Sequence, residues 1–232
     1  MTDKAKTKTI LSLICNCVIF LVTTGVFISY FFVKSRVIEN GWQSLRFFTT
    51  DSNLLAAVAA ALVAVCDVQK LRGKRTDIAK PFMLLKFMGV ISLMLTFCTV
   101  MCLLVPIYGA AQQLGGTAFH MHVAAPVLSF VSFVFLEADR KLSLAQSFLG
   151  MVPMALYGTV YFLQVLVFEN WMDFYAFNQG GRWYITVPVI FTATCLMCLL
   201  VRSSPGKNAS TAGRLRWGCR SHRKQRTHQN AW

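Results

Sequence analysis

The segment Phe47–Val68 reads FFTTDSNLLAAVAAALVAVCDV, an apolar run whose entrance carries five consecutive polar residues: Thr49, Thr50, Asp51, Ser52 and Asn53. Two readings compete for that entrance. Thr, Asp, Ser and Asn are preferred N-cap residues, so the cluster suits the start of a helix at Leu54. A helix running from Leu54 to the residue before Asp67 has only thirteen positions, short of the ~20 needed to cross a bilayer. A spanning helix must instead begin near Phe47, which sets Thr50 about one turn, roughly 5 Å, inside it. Hydroxyls, a carboxamide and a carboxylic acid are costly in hydrocarbon unless they find partners, so the cluster reads as a site and not as lipid-facing surface.

Working outward, the whole chain follows the same logic. Of its 232 residues 56% are hydrophobic and 14% charged, too apolar for a water-soluble domain. Segments of spanning length fall at 9–33, 47–68, 87–109, 117–136, 147–168 and 183–201. The fold expected is therefore an all-α membrane protein, with six transmembrane helices in one domain (1–202) and a basic disordered tail (203–232). The first segment follows Lys4, Lys6 and Lys8. Its apolar core exceeds the ~7–15 residues of a cleaved signal, so it reads as a retained helix.

The net charge of +14 raises the question of nucleic acid, and its distribution answers it. Lys and Arg number three before the first helix, five in Val68–Phe82, two in Ala138–Gln146 and eight from Arg202 onward. The opposite side has four, Lys34, Arg36, Arg46 and Arg182, while Lys86 sits inside the third helix. By the positive-inside rule both termini are cytoplasmic, as an even number of helices also requires. The basic loop Lys70–Arg75 and the tail are expected near anionic head groups, with no specific nucleic-acid partner. The sequon at Asn208 then lies on the cytoplasmic side.

Cys195 and Cys198 have a redox-like or zinc-like spacing but lie mid-helix without flanking His, so they read as packing residues. No metal or cofactor is expected. His120 and His122 at i, i+2 with Asp51 lack the i, i+4 spacing that places ligands on one face. The connection 169–182 is rich in aromatics (Trp171, Phe174, Tyr175, Phe177) and reads first as an interfacial belt, with a lid as the alternative. Pro126, Pro153 and Pro188 interrupt helices; in α register Pro126 leaves the His122 carbonyl without its donor.

Candidate chemistry gathers at the outer side. His122 lies about 7 Å into the fourth helix, nearly level with Thr50. Thr50 and Asn53, at i and i+3, share a face from which Asp51 points away. A hydroxyl nucleophile needs an adjacent base, so Thr50 or Ser52 with His122 would suit, and Asn53 or Asp51 would orient the base or stabilise an oxyanion. The alternative is a protonatable Asp51/His122 relay for a small solute or ion. His120 is a secondary candidate. Tyr157, Tyr161 and Gln164 form one polar stripe at i, i+4 and i+7, which either walls the same pocket or makes interhelical hydrogen bonds. Lys86 and Glu137 read as snorkelling or mutually paired charges near the cytoplasmic ends of their helices.

The stretches Phe47-Phe-Thr-Thr-Asp-Ser-Asn-Leu-Leu55 and His122-Val-Ala-Ala-Pro126 resemble the bacterial Pr-six-Pr six-helix membrane proteins. These are similar in turn to the androgen-induced six-helix lipid hydrolases, whose motif Pro lies five residues after the His where this chain has four. The resemblance implies a bacterial cytoplasmic-membrane location and Thr50 as an intramembrane nucleophile with His122 as its base. It also implies Asn53 as a matching polar group, and fatty-acid esters of hydroxy fatty acids, amphiphilic lipids, as substrates.

Overall fold

The computed structural model describes residues 1–33, 40–138, 142–178 and 180–203. The basic tail, the Asn208 sequon, Lys34, Arg36, Arg140 and Lys141 lie outside them. Among the described residues six helices are long and apolar enough to cross a membrane. They are α1 (Asp3–Ser29), α2 (Phe48–Leu71), α3 (Lys80–Tyr108), α4 (Thr117–Glu137), α5 (Leu144–Val167) and α6 (Trp183–Arg202). Such a set is compatible with a multi-pass integral membrane protein.

Hydrogen bonds between distant residues fix which helix ends lie together. The Ser12 hydroxyl is hydrogen-bonded to Asp67, Asn16 Nδ2 donates to Glu137, and Arg202 Nε donates to the Leu142 carbonyl. The starts of α1, α3 and α5 therefore share one end with the ends of α2, α4 and α6. We call this the terminal end; the starts of α2, α4 and α6 define the opposite end.

The interior combines an apolar core with a set of buried polar side chains, while the outward faces carry many large apolar residues. The residues α1 buries are Thr9, Ser12, Asn16, Ile19, Thr23 and Val26. They alternate three and four apart, a seam that faces neighbouring helices. On its other faces α1 presents Leu11, Ile14, Val18 and Leu21 outward. A bundle in hydrocarbon would have no hydrophobic drive between its helices and would rely on close packing of small residues. Helix α2 buries Ala56, Ala57, Ala59 and Ala60, and α3 approaches so closely at Gly89 that a Cβ there would lie 3.1 Å from the Ala56 Cα.

Two helix starts differ most from the sequence reading. The first helix starts at Asp3, not Thr9, and the third at Lys80, not Phe87. Apolar runs mark where lipid contact begins, whereas the hydrogen-bonded ladder continues into charged residues. Thr2 caps α1 through the Ala5 amide, and Pro81 occupies the first turn of α3, where its missing N–H costs nothing.

Proline also sets the local winding. The turn at Val100–Leu104 has π geometry and ends two residues before Pro106; that at His120–Ala124 ends two residues before Pro126. Inserting one residue into the ladder lets the chain pass a ring that would otherwise clash with the preceding turn.

Candidate functional site

Helix α2 begins at Phe48 with no side-chain cap, so the Thr49–Asn53 cluster occupies its first turns. Its members fan out in several directions. Thr49 lines a cavity of about 360 Å³ between α2, α3, α5, α6 and the connection before α6. Asp51 and Ser52 line a second, of about 340 Å³, against α5 and Trp171. Ser52 also shares a 3.0 Å hydroxyl–hydroxyl hydrogen bond with Thr96 of α3. Thr50 is buried and lines neither cavity.

Asn53 has a defined partner. Its Nδ2 donates to the Thr49 carbonyl at 2.8 Å and to the Met121 carbonyl of α4 at 3.1 Å. The π turn explains why Met121 is available. The Ala125 amide bonds back five residues to His120, so the Met121 carbonyl would look to residue 126, a proline without an N–H. The carbonyl orphaned by Pro126 is therefore Met121, not His122 as in α register, and Asn53 supplies the missing donor. Asn53→Leu is expected to lower thermal stability by about 1–3 kcal/mol, the cost of a buried acceptor left unpaired; a scan of the reconstituted protein measures it.

The structure places His122 beside a different group from Thr50. Its Nδ1 sits 2.7 Å from the carbonyl oxygen of Gln113, in the short helix Ala110–Leu114 that precedes α4. Among the described residues no hydrogen bond joins His122 to Thr50. His120 is exposed and stacks edge-on with Phe119. Among the described residues no cluster of His, Cys, Asp and Glu has the arrangement of a metal site.

The connection after α5 folds back on the bundle as a cap. Phe174 packs on Phe47, and Tyr175 packs against Tyr157 and Tyr161. One carboxylate organises it: Asp173 accepts from the Tyr161 hydroxyl at 2.8 Å, the Phe177 amide at 2.9 Å and the Asn178 amide at 2.7 Å. Of the helix α5 stripe, Tyr157 donates to the Arg46 carbonyl at 2.6 Å and Gln164 accepts from Asn170 at 3.0 Å. Tyr157 and Tyr161 also wall the larger cavity, whereas Gln164 does not. The stripe thus holds the cap and frames the cavity.

No family model, curated protein or solved structure matches this chain. Functional inference therefore rests on the cavity itself. Its wall is mostly apolar, with Leu95, Val100 and Leu104 from α3 and Val187, Ile190 and Phe191 from α6. Into it project Thr49, Thr96, Thr99, Tyr175 and Asn178. Tyr175 is 7% exposed, and Thr49 and Tyr157 are the polar neighbours of its hydroxyl. Burial pushes that phenol up to about 12, so it stays a neutral O–H donor at physiological pH. Asn178 Oδ1 is buried without a partner.

Sequence reasoning missed Tyr175, Asn178, Thr96 and Thr99 as cavity residues. The sequence reads the connection that carries Tyr175 and Asn178 first as an interfacial belt, with a lid or substrate-entry role as the alternative. The Thr96/Thr99 pair, three apart in α3, was the available signal.

Proposed function

We propose that this protein is a multi-pass protein of a cytoplasmic membrane, its basic terminal end cytoplasmic, that binds an amphiphilic lipid in the cavity between α5 and α6. One observation carries the reading: a largely apolar cavity of about 360 Å³ whose wall also presents Thr49, Thr99, Asn178 and the buried Tyr175. That volume falls within the range of small-molecule sites, about 300–1,000 Å³. Asn178 Oδ1 is buried without a partner; an unpaired buried acceptor costs about 1–3 kcal/mol, and a bound head group would recover it. The apolar walls suit an acyl chain, while Tyr175, Asn178, Thr49 and Thr99 supply one donor-and-acceptor patch for a hydroxyl- or ester-bearing head.

Binding fits the geometry better than cleavage. The hydrolase implied by the family resemblance needs Thr50 beside a base, whereas Thr50 lines neither cavity and the His122 ring engages Gln113.

Gly158 offers a clean test, because it lines the cavity and a Cβ there meets nothing within 4 Å. A photoreactive monoacylglycerol should cross-link to α5 and α6 of the protein in nanodiscs. Gly158→Trp should abolish the cross-link without loss of stability, and Tyr175→Phe should weaken binding about tenfold, the worth of one hydrogen bond near 1.4 kcal/mol. Cross-linking unaffected by Gly158→Trp would sink the proposal. Release of free fatty acid from an ester probe, lost in Thr50→Ala, would favour the hydrolase instead.

A further inference from the structure

The terminal end holds a second polar group that the lipid cavity does not touch. Asp67 of α2, Lys86 of α3 and Glu137 of α4 are all fully buried there, at 0% exposure, with Ser12 and Asn16 of α1 and Ser132 of α4 between them. Lys86 Nζ donates to Asn16 Oδ1 at 2.6 Å and lies 3.8 Å from Glu137 Oε1. Glu137 Oε1 also accepts from Asn16 Nδ2 at 2.6 Å and from the Ser132 hydroxyl. The Ser12 hydroxyl lies 2.6 Å from Asp67 Oδ2 and 3.5 Å from Glu137 Oε1.

We propose that this cluster is a proton-binding site, in which Asp67 and Glu137 share one exchangeable proton through the Ser12 hydroxyl. Charge gives the first argument. Two carboxylic acids share one fully buried ammonium, so full ionisation leaves Asp67 balanced only by Lys70 at the rim, an arrangement that a low-dielectric interior opposes. Lys70 reaches Asp67 Oδ1 only from the edge, at 3.4 Å and 10% exposed.

Counting hydrogens gives the second. Ser12 has one hydroxyl proton but faces two carboxylate oxygens. With both acids ionised, one of those contacts has no hydrogen in it. With Asp67 protonated, Asp67 Oδ2–H donates to Ser12 Oγ and Ser12 donates to Glu137 Oε1, and both contacts are satisfied. Glu137 Oε2 has no hydrogen-bond partner, as expected if the pair holds less than its full negative charge.

The same row of atoms is a transfer path. Asp67, next to Lys70 at the edge, gives its proton to Ser12 Oγ as the Ser12 proton passes to Glu137 Oε1. One O–H bond breaks at each donor as one forms at each acceptor, and the cluster charge changes only when Asp67 exchanges with solvent. The charged and titratable groups facing the pair are Cys15 on α1, Lys70 on α2 and Lys86 on α3.

Infrared spectroscopy of the full chain in bilayers, with ¹³C-carboxyl aspartate or glutamate incorporated, tests this. The expected result near neutral pH is a protonated-carboxyl stretch that either label shifts. It should disappear on alkaline titration, be absent from Asp67→Asn and survive in Asp51→Asn. In Ser12→Ala the glutamate label should no longer shift it. A wild type without a protonated-carboxyl band anywhere between about pH 5 and 9 would show an ordinary ion-pair network and overturn the site. So would a band that neither label shifts, or one lost only in Asp51→Asn. The wild-type labelling decides the matter even if a variant fails to fold.

Discussion

Lys86→Met is expected to destabilise the protein by about 3–5 kcal/mol, the cost of removing one partner from a buried ionic network. Met matches the length of the lysine stem, so little packing is lost. What remains is Glu137 without its ammonium and Asn16 Oδ1 without the 2.6 Å donor. Snorkelling offers no escape for the native side chain. Helix α3 begins at Lys80, six residues and about 9 Å of helix before Lys86, and the side chain is wholly buried. In Lys86→Met/Glu137→Gln both charges are gone, and at least half of the loss should return. Thermal denaturation of the two single variants and the double in nanodiscs gives the coupling. A loss below about 1 kcal/mol in Lys86→Met would mean that the ammonium is not sealed in the bundle.

Why the helices but not this network were legible follows from what each depends on. A spanning helix is a local property: about twenty apolar residues suffice, and segments such as Trp183–Val201 announce themselves. The network joins residues 55 and 121 positions apart, Ser12 with Asp67 and Asn16 with Glu137. Its signals were nonetheless present. Ser12 and Asn16 lie at i, i+4 in an otherwise apolar stretch, and Lys86 and Glu137 were weighed as a mutual pair. Asp67 falls one residue before the end of the span 47–68, where a charge closing an apolar run resembles a boundary. The helix continues to Leu71, with Asp67 turned inward.

The opposite end shows the same division. Helical periodicity correctly separated the direction of Asp51 from that of Asn53, and it grouped Tyr157 with Tyr161. Depth alone set His122 level with Thr50, but depth does not choose neighbours. The Gln113 carbonyl reaches His122 because the chain before α4 forms a short helix, and the π turn at Pro126 re-aims the carbonyls that Asn53 can reach. Both are corrections to ideal helical geometry, which a wheel drawn at 3.6 residues per turn does not contain.

Asp173→Ala is expected to release the cap over the lipid cavity while leaving the bundle intact. The Asp173 carboxylate alone gathers the Tyr161 hydroxyl and the amides of Phe177 and Asn178, and the Tyr161 oxygen in turn accepts from the Tyr175 amide at 3.2 Å. Hydrogen bonds to a charged acceptor contribute about 1.5–3 kcal/mol each. They are not additive here, since all three share one group. The cap also carries strain that those bonds hold in place: Glu169 and Ala176 both have φ of 52°, a left-handed conformation costing a non-glycine residue about 1–2 kcal/mol. Losing roughly 3 kcal/mol of local stability corresponds to about a hundredfold faster amide exchange at Tyr175, Phe177 and Asn178. Hydrogen–deuterium exchange would read this directly, with exchange in α1 and α2 unchanged. Because Tyr175 and Asn178 leave the cavity wall with the cap, release of a bound monoacylglycerol should accelerate in parallel. Faster exchange without faster release would place the lipid below the cap, held by the helices alone.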